Sequence, residues 1–354
     1  MISFLNSLKS PLGGAPILPG GLFAHLKIAL ISDEFTRVCI SQNARVKNLS
    51  PLNYKHLLKF WKPDLVFVES AWKGIDESWK FQVAAYPDHP DRNNKALKRL
   101  VKYARKLGIP TVFWNKEDGV HFERFIDSAR LFDYIFTVDE TCIPHYRQHV
   151  AENVHVGTLP FPVQPLFHRF TGFDFKYHTA NFVGSYSRHM HDVRRYWQDA
   201  AFQACSDSGL GLIVYDRNSD RKAAHYRYPA LPSVQVRHVI KHEATAMVYK
   251  DNLVTLNVNT IVDSPSMYSR RLIEALACGA VIVSNPSLSM ERMFSEFCHV
   301  VSTREEMMAT FERLKHGPSE EDLARARAGA EFVLANHTWE DRLRQVVETL
   351  GLNA

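Results

Sequence analysis

Five cysteines are spread over 354 residues, and no two of them stand as a CxxC pair. An odd, dispersed set argues against a disulfide framework and for buried thiols in a reducing compartment. No apolar run reaches about 18 residues, so no transmembrane helix is expected. The amino-terminal stretch MISFLNSLKSPLGGAPILPGG carries one lysine, and its prolines and glycines interrupt any signal-like apolar core. No Walker A motif occurs. The G-x-G of SGLGLIV (208–214) precedes a strand pattern instead of following one, which excludes a dinucleotide fingerprint. Internal repeats and low-complexity tracts are also missing. Histidine is plentiful, but His189 and His191 in RHMHDVRR do not share a helix face. With no carboxylate or cysteine at ligand spacing, no metal site is expected. A formal charge of +5 suits a protein that handles anions, and no patterned basic stripe points to nucleic acid.

What the chain does have is a packed-core composition, 45% hydrophobic against 23% charged, and a regular alternation of strand and helix patterns. Short branched runs predict strands at 27–32, 64–68, 110–114 and 134–138. A second set falls at 180–184, 211–215, 234–238, 253–258, 280–284 and 298–302. Helical patterns lie between them, at 54–61 and 95–108 in the first half. In the second half they cover 189–205, 242–250, 265–278, 303–315 and 319–335. Such alternation implies a parallel sheet covered on both faces. Two such halves imply two doubly wound Rossmann-like α/β domains, with a proline-rich linker at 158–173 holding Pro160, Pro162 and Pro165. The expected boundaries are a leader over 1–26, a first domain over 27–165, a second over 174–336 and a terminal helix over 337–354. That last segment, HTWEDRLRQVVETLGL, has Thr338 as a cap. It places Trp339, Leu343, Val346, Val347 and Leu350 on one face, which must be buried.

Ligands bind beyond the carboxyl ends of strands in open parallel sheets. Acidic residues follow the first-half strands: Asp33 and Glu34, Glu69, Glu117 and Asp118, Asp139 and Glu140. In the second half, DSPSMYSRRLIEALACG (263–279) reads as a helix capped at Ser264, opened by Pro265 and stopped by Gly279. Its start would lie at the sheet's carboxyl edge, where free N–H groups favour an anion. Ser264, Ser266 and Ser269 add hydroxyls, and Arg270 and Arg271 add charge. Glu274 follows Arg270 at i+4 and Arg271 at i+3. By spacing alone this is either a solvated ion pair or a diphosphate site whose carboxylate holds a ribose.

RLIEALACGAVIVSN, followed far downstream by GAEFVLANHTWEDRLRQVVETL, resembles the carboxyl-terminal domain of group 1 glycosyltransferases with the GT-B fold. ISDEFTRV, KPDLVFVESAWKG, IPTVFWNKEDGVHFERFIDSARLFDYIFTVDE and LNVNTIVDSPSMYSRRLIEALACG resemble the spore-maturation CgeB-like branch of that superfamily. The resemblance spans roughly residues 27–350. It implies transfer of a sugar from a nucleoside-diphosphate sugar to an acceptor, with the donor on the second domain and the terminal helix crossing back to the first. Glu274 matches the ribose-binding glutamate. The family's sugar-contacting glutamate, eight positions earlier, is here Ser266, so that role does not transfer. Arg188, after NFVG, falls where the family puts a phosphate-binding cation, and Arg237, His238 and Val239 fall near the nucleobase.

The same resemblance places the loop FWNKEDGVHF (113–122) on the cleft, with Glu117 or Asp118 favoured over His121 as base and Asp33 as the next candidate. No DxD motif occurs, and GT-B enzymes generally manage without a metal. Metal-independent transfer without a cofactor is therefore expected, in a cytoplasmic protein with peripheral attachment to a membrane or assembly surface left open. Acceptor, anomeric outcome and oligomeric state stay open. A GT-B nucleotide-sugar epimerase, a non-catalytic sugar-nucleotide or glycan binder, and a nucleic-acid glycosyltransferase are the rivals.

Overall fold

The computed structural model describes residues 19–352, so the expected leader over 1–26 lies outside the described residues as far as residue 18. Two six-stranded sheets form, and every strand pairing in both is parallel. The first holds β1 (Lys27–Ile31), β2 (Arg45–Asn48), β3 (Leu65–Glu69), β4 (Thr111–Asn115), β5 (Tyr134–Thr137) and β6 (His155–Thr158), in the order β2-β1-β3-β4-β5-β6. The second holds β7 (Tyr177–Gly184), β8 (Leu212–Asp216), β9 (Val234–Arg237), β10 (Asn252–Asn257), β11 (Ile282–Ser284) and β12 (His299–Val300), in the order β12-β11-β10-β7-β8-β9. β3 and β4 are buried at every residue, as central strands covered on both faces must be.

Strand order reverses between β1 and β3 in the first sheet and between β7 and β10 in the second. Helices leave to opposite faces on either side of such a point, and a crevice opens at the carboxyl ends of the two strands.

Two strands escaped the sequence reading. β2 (RVKN) and β6 (HVGT) are the edges of the first sheet, short and partly exposed, so they carry no apolar run. One helix was misplaced. The segment expected over 265–278 is helical only from Arg270 to Ala277, with Ser269 as its cap, accepting from Leu272 N. Pro265 and Ser264 do not open it. Buried asparagines hold residues 259–269 in an irregular loop: Asn259 Oδ1 accepts from Ser269 N at 2.9 Å, and Asn285 Oδ1 accepts from Asn259 N at 2.7 Å. Side chains thus satisfy backbone groups that a helix would otherwise pair.

From Leu159 to Lys176 the chain has no helix or strand beyond one bridge, Val163 to Thr338. Alongside it runs the last helix, Trp339–Leu350, started by a reciprocal Thr338–Asp341 capping box. As the resemblance implied, this helix crosses back to the first sheet. Arg342 Nε donates to Pro160 O at 2.8 Å and Gln345 Nε2 to Thr158 O at 2.6 Å. Trp339, 2% exposed, sits edge-on to Trp114 of β4 with ring centroids 5.7 Å apart. Trp339→Ala empties a buried indole site between the two halves. Chemical denaturation should show a loss of about 3–5 kcal/mol; a loss under about 1 kcal/mol would mean that the bridge contributes little.

Candidate active site between the two sheets

At the second sheet's reversal, β7 ends at Gly184 and β10 at Asn257. A Cβ on Gly184 would lie 2.5 Å from the Phe182 ring and 2.7 Å from Arg271 Nη2, so the glycine leaves room for both the ring and the guanidinium at the strand end. Arg271 Nε donates to Val183 O at 2.5 Å, while its buried Nη1 has no partner. Arg270 points toward the other domain. Its guanidinium lies 3.9 Å from the ring centre of Phe35 and 4.9 Å from that of Phe161, and it has no hydrogen-bond or ion-pair partner among the described residues. Glu274, 6% exposed, stands one turn further on with Oε1 unpartnered, 3.8 Å from His242 Nδ1.

Burial sets the protonation of this cluster. It pushes the Glu274 carboxyl up from its ordinary 4.5 to about 7, against the pull of Arg270, Arg217 and Arg271. It drives His242 down to about 2, helped by His168 and Arg270, and His168 down to about 3. Both imidazoles are therefore neutral. His168, His242 and Glu274 bring ligand atoms within 4.8 Å of one another, a grouping no chain spacing could reveal. Arg270, Arg217 and Arg271 all act on the same carboxylate, however, so the local field suits an anion better than a cation.

Other expected residues are placed as follows. Ser264 and Ser266 are buried and turned to the first domain: Ser264 Oγ donates to Asp139 Oδ1 at 2.6 Å, and Ser266 Oγ to Val138 O at 3.1 Å while accepting from Glu140 N at 2.8 Å. They fasten the two halves and do not cap a phosphate-binding helix, because that helix starts at Arg270. Arg188 is exposed, whereas Arg194, half-buried, lines the cleft cavity. Arg194 Nη2 donates to Ser185 O at 2.7 Å and Nη1 to Thr260 Oγ1 at 3.3 Å. Arg217, just past β8, also bears on Glu274. The sequence reading missed both cations, although Arg217 directly follows a strand end, the position that marks ligand-facing loops. His238 and Val239 are exposed past edge strand β9, where Val239 N donates to Ser219 Oγ at 3.1 Å.

On the first domain, Glu117 and His121 line a cavity of about 340 Å³ together with Ser185, His191, Arg194 and Arg221 of the second. Asp118 does not. It is fully buried, accepting from Asn115 Nδ2 at 2.6 Å and Tyr146 Oη at 2.8 Å, and burial raises its carboxyl to about 7. That corrects the pairing of Asp118 with Glu117 as alternative bases: only one of the two reaches the cleft. Asp33 is half-buried. It accepts from Gly74 N at 3.0 Å and Lys73 N at 3.3 Å, and lies 3.5 Å from Lys116 Nζ. Buried Glu69 takes Lys116 Nζ at 2.9 Å and Asp33 N at 2.6 Å, so these groups form a closed network at the first sheet's reversal.

With this geometry in view, the comparisons are consistent. Residues 216–348 match a family described as glycosyl transferase-like. No curated protein matches the sequence. Among solved structures, an alpha-glucosyltransferase in complex with UDP and a 13-mer DNA superposes with a TM-score of 0.62 at 10% identity, covering 91% of this chain and 98% of that one. HepE (Alr3699) of Anabaena in complex with UDP gives 0.55 at 11%, covering 92% and 91%. The α,α-trehalose 6-phosphate synthase of Burkholderia multivorans gives 0.52 at 12%, covering 85% and 73%. The fold is thus that of GT-B glycosyltransferases.

Asp118→Ala tests the structural placement of that residue. It strands the Asn115 amide and the Tyr146 hydroxyl in the core. Denaturation should show a loss of about 1–3 kcal/mol. An equally stable protein without activity would instead put Asp118 in the chemistry.

Proposed function

We propose that this protein transfers a sugar from a nucleoside-diphosphate sugar to an acceptor hydroxyl, and that it belongs with the CgeB-like branch. The observation that carries the reading is the buried, unpartnered Glu274 carboxylate among guanidiniums with unused donors, at the second sheet's reversal. A ribose diol would supply the donor that Glu274 Oε1 lacks, and a diphosphate would supply acceptors for Arg270 and for the unpartnered Nη1 of Arg271, with Arg217 adding charge from the rim. The glycosyl transferase-like family match over 216–348 covers all four residues and supports the same reading.

In the proposed reaction the acceptor oxygen bonds to the anomeric carbon while the bond from that carbon to the phosphate oxygen breaks. The diphosphate leaves with the bonding electrons, stabilised by Arg270, Arg271 and Arg217. The acceptor proton passes to a cleft base, Glu117 or His121, both of which line the cavity between the domains. Phe35 of the first domain closes on His242 of the second at 3.9 Å between ring centres, which keeps water from the donor side. No metal or cofactor enters this scheme, and a cytoplasmic site of action accompanies it.

Glu274→Ala should weaken nucleotide-sugar affinity by about 1.5–3 kcal/mol in calorimetry. An unchanged dissociation constant would reduce Glu274 to a neighbour of Arg270. The raised carboxyl sets the pH response. Between its ordinary 4.5 and about 7 the folded ligand-free protein holds a proton that the unfolded chain does not. That share of stability is lost as pH rises through 7. Ribose hydroxyls donate to the ionised form, so nucleotide-sugar affinity should rise from about pH 6 to about pH 8, and Glu274→Gln should flatten the rise. A wild-type affinity flat over this range would contradict the assignment. Turnover should persist in excess EDTA; loss restored by Mg²⁺ or Mn²⁺ would show that a cation carries the diphosphate.

A further inference from the structure

The first domain carries a surface that the reaction does not use. From Phe35 to Pro63 the chain has no acidic residue, and from Arg92 to Lys116 it again has none. The fold brings helical parts of these two segments side by side. The helical stretch Tyr54–Trp61, α-helical to His56 and wider from Leu57 on, packs against the helix Lys95–Lys106. Tyr54 meets Tyr103 edge-on with ring centroids 6.0 Å apart, and Leu58, Leu100 and Val101 share one buried cluster. Their outer faces therefore form one surface. Lys55, Lys59 and Lys62 are exposed on one element and Lys95, Lys98 and Lys102 on the other. None of the six has an ion-pair partner among the described residues, whereas Arg105, at the end of the second helix, pairs with Asp133.

Two large apolar side chains stand out of this basic surface. Leu52, in the turn before the first helical stretch, is 97% exposed, and Phe60 is 64% exposed. Phe60 packs only partly, against His56 at 4.8 Å between ring centres, with Lys59 Nζ 5.3 Å from its own ring centre. Trp61 lies half-buried beneath Lys47 Nζ, 5.0 Å away, which extends the surface onto edge strand β2. Single exposed apolar residues are common on soluble proteins. Two protruding apolar groups set in a field of unpaired lysines, with no carboxylate in either segment, are a different pattern. It matches an anionic bilayer, whose headgroups take the lysines and whose acyl boundary takes Leu52 and Phe60. A polynucleotide would use the lysines but gives an aliphatic Leu52 nothing to bury against.

We propose that the face formed by Leu52, Phe60 and the lysines of 55–62 and 95–102 docks the protein peripherally on an anionic lipid bilayer. No helix among the described residues is long and apolar enough to cross a membrane. The docking does not depend on the reaction proposed above, so its failure would leave that reading untouched.

Sedimentation of the full chain with vesicles tests it. Vesicles of equal parts phosphatidylcholine and phosphatidylglycerol should pull down the protein, and phosphatidylcholine alone should not. Leu52→Ser with Phe60→Ser, and separately Lys98→Glu with Lys102→Glu, should each lower the partition about tenfold or more, at unchanged melting temperature. Phe60→Trp gives a second readout that survives any folding defect in those variants: its added emission should shift to the blue on mixed vesicles only. No sedimentation of the wild type with mixed vesicles would overturn the proposal. So would partition indifferent to Leu52 and Phe60, or binding to random-sequence duplex DNA in preference to vesicles.

Discussion

A buried carboxylate in the field of three arginines, with Glu274 Oε1 and Arg271 Nη1 left unpartnered, is the constraint around which the second domain's site is organised. Glu274 Oε1 and Arg271 Nη1 are buried without a hydrogen bond, and Arg270 is held by ring faces instead of an anion. Burying such groups unsatisfied costs free energy, so they persist where a ligand completes them. The charge count says what kind: net positive, with one acceptor carboxylate. A diphosphate joined to a diol answers both halves of that description. The neutral His242 and His168 complete a dry wall and add no charge.

The fold supplies this arrangement through the two strand-order reversals. At the second sheet's reversal, Gly184 lets Arg271 lie against the end of β7, and the asparagine-held loop 259–269 delivers the helix start beside it. At the first sheet's reversal, Lys116 pairs with both Glu69 and Asp33, so that cluster is internally paired and carries a net negative charge, where the second is net positive. Under the proposed function, this asymmetry would give the second domain the anionic donor. Ser264, Ser266, Asp139 and the terminal helix keep the two edges facing each other.

Most of the fold was legible because central parallel strands are continuous apolar runs, as LVFVE and TVFWN show, and because Thr338 and Gly279 punctuate their helices as expected. Edge strands β2 and β6 were not legible, since half-exposed strands carry no such run. The clustering of Arg270, Arg271 and Glu274 on one helix was legible from their spacing, which survives the later start of that helix. Its surroundings were not. Ser264 looked like a helix cap because Pro265 follows it, and its hydroxyl does accept from Met267 N at 3.0 Å, but the asparagine-held loop carries on and no helix starts before Arg270. Asp118 looked like a cleft acid beside Glu117, yet the turn after β4 carries it into the core against Asn115 and Tyr146. Arg194 and His242 reach the site through tertiary contacts that leave no local pattern, while Arg217 was marked only by its place just past β8.

The central claim is that Glu274 and the arginines beside it complete themselves on one nucleotide. A crystal structure of the protein with a nucleoside diphosphate tests it most directly. The account predicts both ribose hydroxyls within hydrogen-bond distance of the Glu274 carboxylate and the diphosphate between Arg270, Arg271 and Arg217. A nucleotide bound elsewhere, with Glu274 still facing only His242, would contradict it.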